Sequence, residues 1–259
     1  MQANDIDDVL LILDGIIAEC KAASDPLGYF PALYRQVTLT VKQGIAAGFF
    51  DDGPRMDRFD AIFASRYFAA YDAFRTDGTP SKCWQVAFQS TQSGQLIILQ
   101  DLLVGINAHI NLDLGVAAGE TFQGRALQDF HGDFDKINDI LGGLIPPGEA
   151  AIGRFSPLLG LLEKIGGQDA VKVLDFSMDA ARDDAWLHAE LLSLQPPSAW
   201  PLTVQALDSK VAFLGRLVAQ PRGLVRKAVD LIREFESKNV PAVIDALNSI
   251  VPAAGAAPS

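Results

Sequence analysis

Residues 96–118 read LIILQDLLVGINAHINLDLGVAA and form the most apolar stretch of the chain. The stretch is about as long as a bilayer span. It nevertheless contains Asp101, His109 and Asp113, and each of these side chains is costly to place in lipid. We therefore predict a buried central helix of a soluble protein over residues 95–118.

The sequence on both sides of this stretch shows helical periodicity interrupted by Pro and Gly, with no strand alternation and no β-hairpin signal. The predicted helices cover residues 4–23, 29–49, 54–76, 80–92, 95–118, 123–144, 147–165, 168–194, 199–219 and 222–251. We expect the last one to break near Pro241. The pattern predicts an all-α fold: one bundle-like domain of about ten helices over residues 1–251, followed by a disordered tail at 252–259.

The composition excludes several classes of partner. The 259 residues carry 21 Lys+Arg against 32 Asp+Glu, a net charge of -11. Nucleic acids and anionic membranes require a basic surface, so we expect neither as a partner. The N-terminus has three Asp residues before its first apolar run, unlike a secretory signal. We expect a cytoplasmic protein, with Cys20 and Cys83 reduced.

The central helix carries the first candidate site. His109 and Asp113 are four residues apart, so they are neighbours on one helix face. Leu102, Ile106 and Val116 flank that face and make it apolar. A carboxylate buried there needs a cation, a metal ion or a hydrogen-bond donor, because an unpaired charge would cost several kcal/mol, on the order of 3–5.

Further charged residues fall on apolar faces of other predicted helices. Asp133 is predicted to point inward, whereas His131 and Asp135 share the opposite, outward face. Arg66 and Arg182 lie on apolar faces, and each guanidinium stays charged and needs a carboxylate or a bound anion. If these helices converge, one internal polar site would contain His109, Asp113, Asp133, Arg66 and Arg182.

Several strings carry a resemblance to a known family. They are NAHINLDLGVA (107–117), DFDKIN (133–138), RDDAWLHAELL (182–192), FASRYFAAYDAF (63–74) and CWQVAF (83–88). Together they resemble the DUF5995 family of uncharacterised helical proteins, over roughly residues 30–220. The resemblance implies a helical fold and marks His109, Asn111, Asp113, Asp133, Asn138, Arg182 and Trp186 as motif positions. It brings no reaction with it.

The first functional hypothesis is a metal-dependent enzyme, a hydrolase or an oxygenase. His109, Asp113 and Asp133 would be the catalytic residues and would hold one divalent ion, because mixed nitrogen and oxygen ligands suit Zn, Mn or Fe(II). The substrate would be a small, largely apolar or carboxylate-bearing molecule. The expected substrate-binding residues are Arg66, Arg182, Trp186 and Asn138.

Three alternatives use the same residues. The first is a metal-free acid–base enzyme, an isomerase or cyclase, in which His109 moves protons. The second is a protein that binds a small ligand in an apolar pocket, with Arg66 or Arg182 pairing with a ligand carboxylate. The third is a buried network without a ligand. The chain contains no Walker A, Rossmann, His-Glu-x-x-His or Gly-x-Ser-x-Gly motif.

Overall fold

The fold is all-α, as the periodicity predicts. The computed structural model, which describes residues 1–165 and 178–252, is 79% helical, and the described residues contain no strand. The helices are α1 (Ile6–Ala23), α2 (Tyr29–Ala46), α3 (Gly53–Arg75), α4 (Lys82–Gln92), α5 (Ile98–Ala108), α6 (Gly115–Thr121), α7 (Arg125–Gly153), α8 (Leu161–Ile165), α9 (Met178–Ser193), α10 (Trp200–Ala219), α11 (Gly223–Phe235) and α12 (Val240–Leu247).

Local polar residues set several helix starts. The side chain of Asp5 accepts a hydrogen bond from the backbone N–H of Asp8 and caps α1. Asp52 caps α3 in the same way, and Asn239 caps α12. Such caps satisfy backbone donors that have no partner inside the helix. These three helices therefore begin where a capping side chain is available.

The predicted central helix is a rod through the core. Helices α5 and α6 are joined without a break by a turn of π-helix, His109–Leu114, whose residues are all buried. Within the described residues, only Ile98–Thr121 is both long and apolar enough to cross a membrane, and 89% of its most apolar window is buried inside the protein. Residues 95–118 were thus correctly predicted as a buried helical segment. The π-turn was not predicted.

Helix α9 packs very closely on α6 at two glycines. A Cβ atom at Gly115 would lie 2.5 Å from the carbonyl oxygen of Ala185, and one at Gly119 would lie 2.9 Å from that of Ala189. The absence of side chains lets the two backbones approach each other. This contact brings α9, and with it Arg182, against the central rod.

The prediction of two helices at 123–144 and 147–165 was wrong. Helix α7 runs from Arg125 to Gly153, with Pro146 and Pro147 inside it, and only the short α8 follows. Proline removes a hydrogen bond and crowds the carbonyl four residues earlier. Those earlier residues are Gly142 and Gly143, whose missing side chains leave the backbone free to adjust.

The C-terminal prediction was correct in outline. The segment 222–251 breaks into α11 and α12, and Pro241 lies at the start of α12. The predicted start of a helix at residue 168 and most of the predicted tail lie outside the described residues. One continuous core cluster takes side chains from Ala3 to Ile250, which fits a single domain.

Candidate functional site

His109 is the centre of the candidate site. It begins the π-turn, and its side chain is 2% exposed. Its ring stacks on Phe63, with centroids 3.8 Å apart and planes within 9°. The ring of Tyr34 meets it edge-on at 4.7 Å. These contacts fix the plane of the imidazole, and π-turns of this kind occur frequently at functional sites.

Asp113 holds His109 from one turn further along the rod. Its Oδ2 atom lies 3.2 Å from Nδ1 of His109 and accepts a hydrogen bond of 2.8 Å from Nε1 of Trp84. Its Oδ1 atom accepts one of 3.3 Å from Nε of Arg66. The predicted need of this buried carboxylate for a cation and donors is therefore met by protein groups.

The contact with Asp113 determines the tautomer of His109. A carboxylate can only accept, so Nδ1 of the imidazole carries the hydrogen and Nε2 is left with a lone pair. Burial lowers the pKa of His109; Asp113 opposes this shift and Arg66 adds to it. The ring is therefore neutral at pH 7. Nε2 is buried and has no hydrogen-bond partner among the described residues.

His109 lines a cavity of about 630 Å³ that is partly open to solvent. Helices α2, α3, α5, α7 and α9 form most of its wall, with further residues from the π-turn and from the segment 159–162, and the wall is mostly aliphatic and aromatic. The described residues contribute five polar side chains to this wall, those of Tyr34, Asp60, His109, Glu149 and Arg182. A cavity of this size with few polar groups is typical of a small-molecule site.

Asp60 is a second buried polar group on this wall. Its Oδ2 atom has no hydrogen-bond partner in the described part of the chain. Burial, together with the charge of Asp57, raises the pKa of Asp60 to about 7. Near neutral pH the group can therefore hold or release a proton inside the cavity.

Arg182 brings a positive charge to the same cavity. Its side chain donates to Oδ1 of Asn138 and to the backbone carbonyl of Phe134, and its Cζ atom lies 4.3 Å from the centre of the Phe134 ring. The residue is 2% exposed. Burial lowers the pKa of Arg182 to about 10. At pH 7 it is still a cation, as expected for a guanidinium.

Asp133 belongs to a different network. Its oxygens accept hydrogen bonds from the backbone N–H groups of Asp51 and Asp52 and from Nη2 of Arg55, with Lys136 at 3.5 Å. Burial alone would raise the pKa of Asp133, but these donors lower it below its usual value. The carboxylate is fully buried, as predicted, and it anchors the segment that leads into α3.

The structure thus brings together only some of the predicted site residues. Arg66, His109 and Asp113 share one network, whereas Asp133 does not join it. Among the residues described, no group of three His, Cys, Asp or Glu side chains is placed to hold a metal ion. Arg66 is half-buried at the edge of the core rather than inside it.

Two residues that the resemblance added lie beside Arg182. Asn138 accepts its hydrogen bond. Trp186 packs on Phe134, at 5.0 Å between ring centroids, and donates to Glu190. Trp186 is not among the residues that line the cavity. Asn111, a further motif position, donates to Asn107.

Three residues that contribute to the site were not predicted from the sequence. Trp84 belongs to the string CWQVAF and was not named as a site residue, but its indole N–H requires a partner when buried and finds one in Asp113. Tyr34 and Asp60 were not singled out at all. Both could have been recognised from the sequence, because each is a polar side chain within an otherwise apolar stripe of its helix, α2 for Tyr34 and α3 for Asp60.

Comparison with known proteins identifies a family and no activity. Residues 6–221 match the family described as "Family of unknown function (DUF5995)". No curated protein and no solved structure matches the chain. The match covers more than half of the chain and includes the central rod, α7 and α9. The chain therefore belongs to the DUF5995 family.

Proposed function

We propose that this protein binds a small, largely apolar molecule in this cavity, and that His109 makes a polar contact with it. The observation that carries the proposal is the buried Nε2 atom of His109, which has no partner among the described residues while Nδ1 is held by Asp113. An unpaired buried acceptor costs about 1–3 kcal/mol. A ligand hydroxyl or N–H group that donates to Nε2 would remove this cost.

The wall of the cavity supports an apolar ligand. Apart from the five polar side chains named above, the described residues that line it are aliphatic, aromatic, methionine or glycine. An apolar body gains about 25 cal/mol for each Å² of surface that it removes from water. The volume of about 630 Å³ falls within the range of roughly 300–1,000 Å³ for small-molecule sites.

The same atom allows acid–base chemistry without a metal. A neutral imidazole with a free Nε2 can take a proton from a bound molecule, and Asp113 would stabilise the resulting cation. Asp60, on the same wall, can supply or hold a proton near neutral pH. The binding proposal therefore also accommodates an isomerase or cyclase, for which the bound molecule would be the substrate.

A metal-dependent reaction is less well supported by the donor set. His109 and Asp113, which lie one helical turn apart, could each supply a ligand atom to a metal ion. Both oxygens of Asp113, however, already accept hydrogen bonds from Trp84 and Arg66. Asp133, the expected third ligand, is held by Arg55 and two backbone N–H groups. Binding an ion with these three side chains would require both networks to break.

The experiment is a displacement assay with an uncharged fluorescent probe, N-phenyl-1-naphthylamine. The competitors are decan-1-ol, which can donate to Nε2, and decyl methyl ether, which cannot. We expect wild type to prefer the alcohol by roughly 2- to 10-fold, the value of one net hydrogen bond. In His109→Phe, which keeps the ring stack on Phe63, the preference should vanish.

His131→Phe is the matched control, because His131 also faces an aspartate four residues on, yet its side chain is 47% exposed. It should behave as wild type. Saturable binding of none of the three molecules would overturn the proposal, and so would an alcohol preference that survives in His109→Phe.

A further inference from the structure

We infer that the ligand of this cavity is an apolar molecule that carries a carboxylate, and that Arg182 binds this carboxylate. The inference rests on the proposed function and adds the chemical class of the ligand. It comes from the position of Arg182 and from the course of the apolar wall between Arg182 and His109.

Arg182 is a buried cation whose direct partners in the described part of the chain are neutral. Its hydrogen bonds go to the amide oxygen of Asn138 and the backbone carbonyl of Phe134. These bonds use two of the five N–H donors of a guanidinium. No carboxylate lies within 4 Å of it in the described ranges, although every other buried or half-buried arginine discussed above has one.

Among the described residues, the carboxylates that influence the pKa of Arg182 lie at the surface. Asp135, Asp179 and Asp183 raise its pKa, but burial outweighs them and the net shift is downward. All three are exposed. Water and salt screen charges in such positions. A ligand carboxylate inside the cavity would be the nearer counter-ion and could accept two parallel hydrogen bonds from the guanidinium.

A continuous row of phenyl rings leads from Arg182 to His109 along the cavity wall. Neighbouring groups are 4.3, 6.1, 4.7, 6.2 and 3.8 Å apart. In order, the row is Arg182, Phe134, Phe130, Phe59, Phe63 and His109. A ligand whose body lies along these rings would present one end to the cation and the other to the Nε2 acceptor.

The other ionisable groups of the wall favour the same orientation. Asp60 precedes Phe63 by one helical turn and is therefore near the His109 end of the row. Its charge above pH 7 would repel a ligand carboxylate placed there. Glu149 is exposed and offers no positive charge. Of the residues described on the wall, Arg182 alone is a cation at pH 7, because His109 is neutral.

The test compares decanoic acid with its methyl ester in the same displacement assay at pH 7.5. The two molecules have the same apolar body, and only the acid can pair with Arg182. We expect wild type to bind the acid at least tenfold more tightly. In Arg182→Met the acid should lose at least tenfold in affinity, while N-phenyl-1-naphthylamine and the ester bind as in wild type.

Arg154→Met is the control for loss of a positive charge, since Arg154 is exposed at the end of α7, and it should leave the preference intact. Arg182→Lys keeps the positive charge but lacks the two parallel N–H donors of the guanidinium, and it should retain part of the preference for the acid over the ester. It serves as the readout if Arg182→Met does not fold.

The two proposals fail in different ways. If the ester binds as tightly as the acid in wild type, or if the preference for the acid survives in Arg182→Met, the carboxylate assignment is overturned and the binding site stands. If neither the acid, the ester nor the probe binds saturably, the proposed function itself is overturned.

Discussion

Nδ1 of His109 lies 3.2 Å from Oδ2 of Asp113, and the two residues are held one turn apart by the π-helical segment of the central rod. The carboxylate orients the imidazole through this contact and leaves Nε2, on a residue that lines the cavity, as a buried acceptor without a partner among the described residues. Trp84 and Arg66 in turn hold the carboxylate. The proposed ligand contact therefore depends on a chain of residues from three helices.

Replacing Asp113 with Asn should disturb this chain. In wild type, His109, Trp84 and Arg66 share the two carboxylate oxygens of Asp113, whereas an amide offers them only one acceptor oxygen. The half-buried charge of Arg66 also loses its buried partner. We expect a loss of about 2–4 kcal/mol in the free energy of unfolding. The ¹⁵N shifts of His109 should report hydrogen on Nδ1 in wild type and a mixture of tautomers in the variant. Asp135→Asn, in the exposed pair with His131, should cost less than about 0.5 kcal/mol.

Asp133→Ala tests the second network. The change leaves Arg55 and the backbone N–H groups of Asp51 and Asp52 without their acceptor. We expect a destabilisation of about 2–4 kcal/mol in urea unfolding, because a buried partner is removed from charged and backbone donors. Asp135→Ala, two residues further on and exposed, is the control. A melting temperature of Asp133→Ala equal to that of wild type would contradict the network.

Asp60 should make stability fall as the pH rises. Burial raises its pKa from 3.8 to about 7, so between these values the folded state keeps a proton that the unfolded state has released. The contribution of Asp60 to the free energy of unfolding is therefore most favourable below pH 4, and this stability is lost as the pH rises through 7. Asp60→Asn removes the ionisation. Above pH 7 we expect this variant to exceed wild type by about 1–4 kcal/mol in free energy of unfolding.

The comparison that checks this effect is urea unfolding of both proteins at pH 5, 6, 7 and 8. The difference between them should grow with pH. A difference that stays constant over this range would show that Asp60 does not carry the raised pKa.

Gly115→Ala should weaken the contact between α6 and α9. The new methyl group would lie 2.5 Å from the carbonyl oxygen of Ala185, a backbone atom that cannot move independently. We expect a loss of about 1–3 kcal/mol from overpacking. Gly15→Ala in α1 is the control, because nothing lies within 4 Å of the added Cβ atom. That variant should gain about 0.5–1 kcal/mol from higher helix propensity. Equal thermal unfolding of the two variants would contradict the close packing.

Elemental analysis of the purified, untagged protein tests the metal hypothesis directly. Because Asp113 and Asp133 are held by separate sets of donors, we expect only substoichiometric Zn, Mn or Fe, even after incubation with each ion. About one equivalent of a single metal, lost in His109→Ala, would instead support the metal-dependent enzyme. It would direct the search toward hydrolysis or oxygen chemistry.

Local and periodic features were predictable from the sequence. The apolar stretch at 96–118 predicted the buried rod, and the 100° spacing of residues correctly placed Asp133 inside and His131 outside. The pairing of His109 with Asp113 followed from the same spacing. The continuity of α7 through Pro146 and Pro147 did not, because two prolines normally end a helix and here the preceding glycines accommodate them.

The chemistry of side chains and their order along the chain determined that the fold is all-α, that it has a buried ionisable centre, and that each buried charge needs a partner. Helical periodicity and the cost of an unpaired charge require no knowledge of distant contacts. The choice of partner was decided only in three dimensions. Asp113 pairs with Arg66 and Trp84, and Asp133 pairs with Arg55, because helix packing sets which of several equivalent arginines comes within reach. The cavity that joins His109 to Arg182 likewise exists only where the packed helices leave space between them.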